Sequence, residues 1–319
     1  MRLFSLKNGA DYLELSTKDV QFSDSGGDKR SFTAKKQVGR LCVELDGWVY
    51  EKRGAVEWVA WLENCGQEDT QTLSEICAAD LCLPTQKDEA VCYAGILGDD
   101  CSGDSFLPFE HALTPGAGWT VTPYGGRSSC KAFPCFDLLD ATGGMITAIG
   151  WSGQWRYALN RDDGEVRLTI GLEDACFYLK PGERVRLPRV LFKAFEGCAI
   201  AGHNDYRALL REHYVPRMPA GELVSLPTAI QCFDRYTWKV PYWNTEAGQK
   251  EYVDCADRLR HIDTVWLDAA WFEGGFPYGV GNYSYRAGFP NGLKPISDRA
   301  HDKGMKFMVW FEPERIAYN

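Results

Sequence analysis

Lys306-Phe-Met-Val-Trp-Phe-Glu-Pro-Glu-Arg315 is the stretch on which the fold turns. After the lysine, apolar and aromatic residues run on without alternation, ending in Trp310, Phe311, Glu312, Pro313 and Glu314. An apolar run of this kind is a strand buried on both faces, as in a parallel sheet covered by helices. Charged and aromatic residues just past such a strand are what barrel enzymes use to build their sites. The sequence ends at Asn319, and the rest of the site is expected on residues outside it.

Working back from this strand, the same grammar repeats. Thr264 to Leu267 is a second continuous apolar strand, and Thr228 to Phe233 is a third. Between them, Tyr252, Val253, Ala256, Leu259 and Ile262 recur at helical spacing over Glu246 to Ile262. Leu293, Ile296 and Ala300 share one face of a second helix, which Gly304 terminates. Strand, helix, strand, helix, strand predicts a parallel sheet. Two such units fit either a barrel or an open doubly wound sheet. The loop Asp234-Arg-Tyr-Thr-Trp-Lys239 lacks the Gly-rich phosphate turn of the open class. Trp238, Asp268 with Trp271, and Trp310 with Glu312 and Glu314 instead gather past successive strands. The loops after the first two strands, about 12 and about 20 residues, are of a length that usually serves function. The reading is the first three βα units of a (β/α)8 barrel over residues 228–319.

Upstream the period changes. Leu41 to Tyr50, Val56 to Leu62, Met145 to Trp151, Val166 to Ile170 and Val185 to Phe195 are short β-type runs separated by Gly, Asp and Pro. That punctuation predicts an antiparallel sandwich over residues 1–215, with Pro181-Gly182-Glu183 as one of its turns. Asp205 to Tyr214 reads as a helix, and residues 216–227, rich in Pro and Gly, as a linker.

Composition narrows the partners. A net charge of −9 and pI near 5.2 disfavour nucleic acid and anionic membranes. Eleven Trp suit flat amphipathic ligands such as sugars, although large β-sheet cores also use them. Met1 to Asn8 lacks the apolar core of a signal peptide. The 12 Cys are scattered without a C-x-x-C, which favours neither zinc nor a disulfide framework; the C-x4-C pairs Cys77/Cys82 and Cys130/Cys135 read as reduced, buried thiols, in a cytoplasmic setting. His203, His261 and His301 have no acidic or thiol sequence neighbours that suggest metal ligation, and read as structural or solvent-facing.

The strand-end residues carry the chemistry. Asp268 suits two neighbouring hydroxyls of a sugar, or equally the backbone amides at a strand end. Trp238, Trp271 and Trp310 are pocket walls or packing. Glu312 and Glu314 form a carboxylate pair of the kind glycoside cleavage uses, or a structural turn in which Arg315 pairs with one of them.

Val265-Trp-Leu-Asp-Ala-Ala-Trp-Phe272, Phe289-Pro-Asn-Gly-Leu-Lys-Pro-Ile-Ser-Asp298 and Gly304-Met-Lys-Phe-Met-Val-Trp-Phe-Glu-Pro-Glu314 resemble glycoside hydrolase family 36, the bacterial α-galactosidases. Ala148-Ile-Gly-Trp-Ser-Gly-Gln-Trp155, Gly171-Leu-Glu173 and Leu179-Lys-Pro-Gly-Glu183 look like that family's β-supersandwich. The resemblance implies a retaining exo-α-glycosidase that releases α-galactose from oligosaccharides without a cofactor, and that assembles as dimers or tetramers. It implies substrate contacts from Asp268, Trp238 and Trp310, with Trp271 following the motif. It makes Glu312 and Glu314 structural. The family's nucleophile, in a Lys-x-Asp segment after a fourth strand, and its acid/base Asp have no counterpart before Asn319, so residues 1–319 are expected to be inactive. One departure stands out: Ala269 occupies the place of a second Asp, and Ala270 that of a Gly. Losing a charged acceptor removes an interaction of about 1.5–3 kcal/mol, which opens the sugar to a relative such as α-N-acetylgalactosamine. A non-catalytic carbohydrate-binding protein and a glycosyl-transferring, raffinose-synthase-like relative are the alternatives.

Overall fold

The structure, a computed structural model, describes residues 1–23, 27–86, 89–231, 241–269 and 271–313. The chain divides into two compact units, Met1–Val215 and Pro216–Asn319.

The first unit consists of two antiparallel sheets. One has six strands in the order Gly118–Val121, Arg156–Arg161, Glu165–Gly171, Leu73–Pro84, Arg2–Asn8 and Asp11–Ser16. The other has nine: Val20–Ser23, Arg30–Val38, Leu41–Tyr50, Ala55–Asn64, Arg184–Glu196, Gly143–Gly150, Ala132–Leu139, Cys92–Leu97 and Pro108–Ala112. Alternation decides which face is buried. Leu13 and Leu15 turn inward from their strand, as do Val166, Leu168 and Ile170 from theirs. These side chains build one core with Phe4, Trp58, Phe136, Trp155 and Tyr157. Two of the tryptophans are affordable there because their indole N–H groups are satisfied. Trp58 donates to the Ala78 carbonyl at 2.8 Å and Trp155 to that of Ser128 at 2.9 Å.

One carboxylate is fully buried in the six-stranded sheet. Asp80 accepts from Ser5 Oγ at 2.6 Å and from Arg167 Nε and Nη2, each at 3.0 Å, while Arg2 Nε lies 2.9 Å away. Burial pushes this carboxyl up, but the Arg167 and Ser5 hydrogen bonds and the two guanidinium charges outweigh it. The group is held below the usual carboxylate range.

The helix of the first unit spans Ala199–His213, starting six residues before the predicted Asp205. Gly202 hides the start, because a glycine reads as a breaker. Here it is a close-approach residue: a Cβ at 202 would lie 2.5 Å from the Phe195 ring. The helix buries Leu209 beside Tyr50, Ala55 and Leu191, with Tyr206 and Tyr214 packed against them. Charged contacts hold it as well, including Lys193 to Asp205 at 2.6 Å and Arg53 to Asp205 at 2.7 Å. His203 is solvent-facing, as read from sequence, and it also has a carboxylate partner in space. Its Nε2 lies 2.7 Å from Oδ2 of Asp137, a residue 66 positions away in sequence.

The second unit contains the expected parallel sheet, in the order Ala229–Gln231, Thr264–Leu267 and Lys306–Val309. Two helices connect the strands. Glu246–Asp257 is capped by Thr245, whose hydroxyl accepts from the Gly248 amide at 3.1 Å. It ends five residues earlier than predicted, where the chain turns back to feed the second strand through His261 in a left-handed conformation (φ 74°). Lys294–Asp302 is followed by Gly304, at φ 72°. The helices meet through Arg299 to Asp254 and Lys303 to Asp257, at 2.8 and 2.7 Å. Val253, Ala256, Val265, Leu267, Phe272, Phe289 and Ile296 fill the core beneath.

Eleven described cysteines are free thiols, but only some are buried. Of the C-x4-C pairs, Cys77 and Cys130 are buried and Cys82 and Cys135 half-buried, while Cys65, Cys101, Cys176, Cys198 and Cys255 are exposed. No helix among the described residues is long and apolar enough to cross a membrane.

Candidate functional site

Three strand ends converge at the carboxyl edge of the parallel sheet. Gln231 ends the first strand, Asp268 follows the second, and Trp310 follows the third. Only Thr264–Leu267 is the buried run expected from sequence; Ala229–Gln231 and Lys306–Val309 are sheet edges with exposed side chains, Met308 among them, which corrects the expectation that the third strand is covered on both faces. Parallel pairing places the three strand ends side by side. The Gln231 side-chain amide donates to Asp268 Oδ2, and the Ala269 N–H donates to Asp268 Oδ1 at 2.6 Å. Both carboxylate oxygens are thereby oriented, and each keeps lone-pair capacity for a further donor. Gln231 is itself steadied by Tyr252, whose hydroxyl donates to its carbonyl at 2.6 Å.

Trp310 extends the sheet ladder, its N–H donating to the Leu267 carbonyl at 3.0 Å. Its ring lies nearly parallel to Phe272, with centroids 6.1 Å apart and planes at 16°. Trp271 stands behind it. The residue is 2% exposed, its indole N–H donates to the Trp310 carbonyl at 3.2 Å, and its ring stacks on Tyr283 at 5.7 Å. Tyr283 in turn donates its hydroxyl to the Glu312 carbonyl at 2.9 Å. Aromatic packing and two side-chain hydrogen bonds thus fix the path of the chain from Trp310 to Glu312.

The other residues singled out from sequence fall as follows. Trp238, Ala270, Glu314 and Arg315 lie outside the described residues. Ala269 is 3% exposed and packs in the core cluster, so its methyl group points into the apolar interior. No cluster of metal-ligating side chains occurs among the described residues. Sequence reasoning missed Gln231 and Tyr283. Gln231 was detectable as the polar residue closing an apolar strand; Tyr283 sits in a long loop with no periodic signal.

No family model matches the chain. Among curated proteins it is 26% identical over 294 residues to Alpha-galactosidase 2 of Pediococcus pentosaceus, covering 88% of this chain and 38% of the relative. It is 27% identical over 208 residues to Alpha-galactosidase Mel36A of Lactobacillus acidophilus, covering 61% of this chain and 27% of that protein. The chain is a homologue of α-galactosidases. Among solved structures, the family 36 α-galactosidase AgaA of Geobacillus stearothermophilus superposes with a TM-score of 0.75 at 19% identity, over 98% of this chain and 46% of that one. Variants of AgaA have been solved in complex with raffinose and with stachyose.

The relatives' names and the fold shared with the family 36 enzyme AgaA agree with the resemblance read from the sequence motifs. The homologue spans less than half the length of these proteins. Its largely β architecture matches the corresponding part of AgaA.

Proposed function

We propose that this chain is the substrate-recognition part of a retaining exo-glycoside hydrolase that releases terminal α-galactose, or α-N-acetylgalactosamine, from oligosaccharides. The reading divides it into a β-supersandwich (1–215), a linker (216–227) and the first three βα units of a TIM barrel (228–319). The observation that carries the proposal is the oriented Asp268 carboxylate at the shared carboxyl edge of three parallel strands, beside Trp310. A carboxylate held by two donors is pre-aligned to accept from two adjacent sugar hydroxyls, at little ordering cost on binding.

In this reading Asp268 takes the hydroxyls and Trp310 presents its indole to the apolar face of the ring. Trp238 forms a further wall. Trp271, being buried, positions Trp310 from behind. Gln231 keeps Asp268 in register. Glu312 and Glu314 are scaffold. The buried Ala269 leaves one acceptor fewer for the ring than two successive Asp would, which favours a substituted galactose. The nucleophile and the acid/base group belong on later strands, so residues 1–319 alone do not cleave glycosides. The substrates are raffinose-type oligosaccharides, handled without a cofactor by a cytoplasmic homo-oligomer. That AgaA variants were solved with raffinose and stachyose supports the substrate class.

Two measurements test this. The coding region beyond the Asn319 codon is expected to encode a fourth apolar strand ending in Lys-x-Asp; a downstream sequence without it refutes the hydrolase reading. Residues 1–319 are expected to give no turnover of 4-nitrophenyl α-galactoside. Hydrolysis that survives Asp268→Asn would place the nucleophile among residues assigned here to scaffold.

A further inference from the structure

A cleft of about 730 Å³ opens in the first unit between the helix Ala199–His213 and the outer face of the nine-stranded sheet. Its floor follows from strand register. Asp137 pairs with Ala94, and Ala94 with Glu110, so these three form one row across three strands. The small central side chain makes the depression, and the two carboxylates stand on either side, about 10 Å apart at strand spacing. Phe133 lines the cleft, and Tyr206 and His203 face it from the helix, while the Phe109 ring turns to the other face of the sheet, against Tyr93 and Trp119.

Its polar groups are already organised. Asp137 is 5% exposed and sits 2.7 Å from His203 Nε2, while the His203 side chain is about half exposed (52%). One carboxylate oxygen is thus tied to an accessible imidazole, leaving acceptor capacity on the carboxylate. Burial raises the Asp137 carboxyl, and His203 only partly offsets it, so a further donor would be favourable there. Three formally charged side chains line it, the carboxylates of Asp137 and Glu110 and the guanidinium of Arg207. An anion would meet two carboxylates, and a cation would meet Arg207. A neutral ligand with hydroxyls, which both donate and accept, meets neither penalty. Aromatic walls with an Asp–His pair suit an apolar ring face with hydroxyls at its edge, and the volume lies within the range of small-molecule sites, about 300–1,000 Å³.

We infer that this cleft is a non-catalytic binding site for a neutral pyranose. It does not depend on the role proposed for Asp268.

The test is calorimetric titration, with saturation-transfer NMR, of the 319-residue chain. The probes are galactose, anionic galacturonate and cationic galactosamine. Galactose is expected to bind saturably in the parent and in Asp268→Asn. Ala94→Leu, which fills the floor, should weaken it at least about tenfold, and Asp137→Asn and the surface variant His203→Ala by about fivefold to tenfold, the net loss of one hydrogen bond. The exposed His203 gives a variant that preserves folding should the two floor substitutions fail to fold. No saturable binding to the parent overturns the inference. So does galactose binding that Asp268→Asn abolishes while the cleft variants leave it intact, or preference for either charged probe over galactose.

Discussion

Trp271→Phe separates a packing tryptophan from a ligand-facing one. In the structure Trp271 is almost wholly buried, donates to the Trp310 carbonyl at 3.2 Å and stacks on Tyr283. Phenylalanine keeps an aromatic ring but loses the N–H donor, worth about 1 kcal/mol, and leaves a void worth about 1–2 kcal/mol more. The sum is about 2–3 kcal/mol of local stability. Hydrogen exchange with mass spectrometry reads this without requiring the two units to unfold together. At 1.4 kcal/mol per tenfold, amides of Thr264–Leu267 and Lys306–Val309 should exchange about 30- to 150-fold faster, provided closing outruns exchange. Peptides of the first unit, such as Arg184–Glu196, should not change and serve as the internal control. If protection in the second unit stays within about 0.5 kcal/mol of the parent, the size of an ordinary surface substitution, the packing argument is wrong. Trp271 would then be free to act as a pocket wall.

Three further outcomes follow from the same packing. Arg167→Ala removes two charge-assisted hydrogen bonds from the buried Asp80. Because Arg167 is half-exposed, the cost should be about 2–3 kcal/mol in urea unfolding at pH 7, and an unchanged midpoint would refute the role of the network. Since Asp80 is held below its unfolded value near 4, its contribution is present above about pH 4 and lost as pH falls through the lower folded value. Arg167→Ala should therefore flatten the acid limb of the stability profile, and an acid limb identical to the parent's would refute the sign. Ala269→Asp puts a carboxylate where a methyl group is 3% exposed, next to Asp268. It should destabilise the second unit by at least about 2 kcal/mol, and unaltered exchange protection there would show that the position opens to a ligand. Residues 216–319 expressed alone present unpaired edges at Ala229–Gln231 and Lys306–Val309 and should bind hydrophobic dyes without a cooperative melt; a sharp thermal transition would refute this.

What the sequence made legible were the features written locally. Thr264–Leu267 is continuous and apolar because both faces of that strand are covered, and the strand falls where the sequence puts it. Leu41–Tyr50 matches residue for residue because its alternation and flanking turns agree. Helix ends were less legible wherever tertiary contact overrides local preference. Gly202 belongs inside a helix because Phe195 crowds it, and no helical periodicity carries that information. Least legible were pairings between distant residues. His203 looked solitary because Asp137 reaches it only through the register of Ala132–Leu139 with its neighbours and the docking of the helix.

The same distinction explains the candidate site. A strand end is a local event, so Asp268 and Trp310 could be named from the run of residues before each. What makes Asp268 usable is the amide of Gln231, set by parallel pairing of Gln231 with Trp266 across 35 positions. A one-residue slip in that register would turn Gln231 to the opposite face and leave Asp268 Oδ2 without its donor. The orientation of the carboxylate is therefore a property of the sheet rather than of the motif. Gln231→Ala is the substitution that isolates it: the strand and Asp268 remain, while the alignment to a sugar hydroxyl is lost.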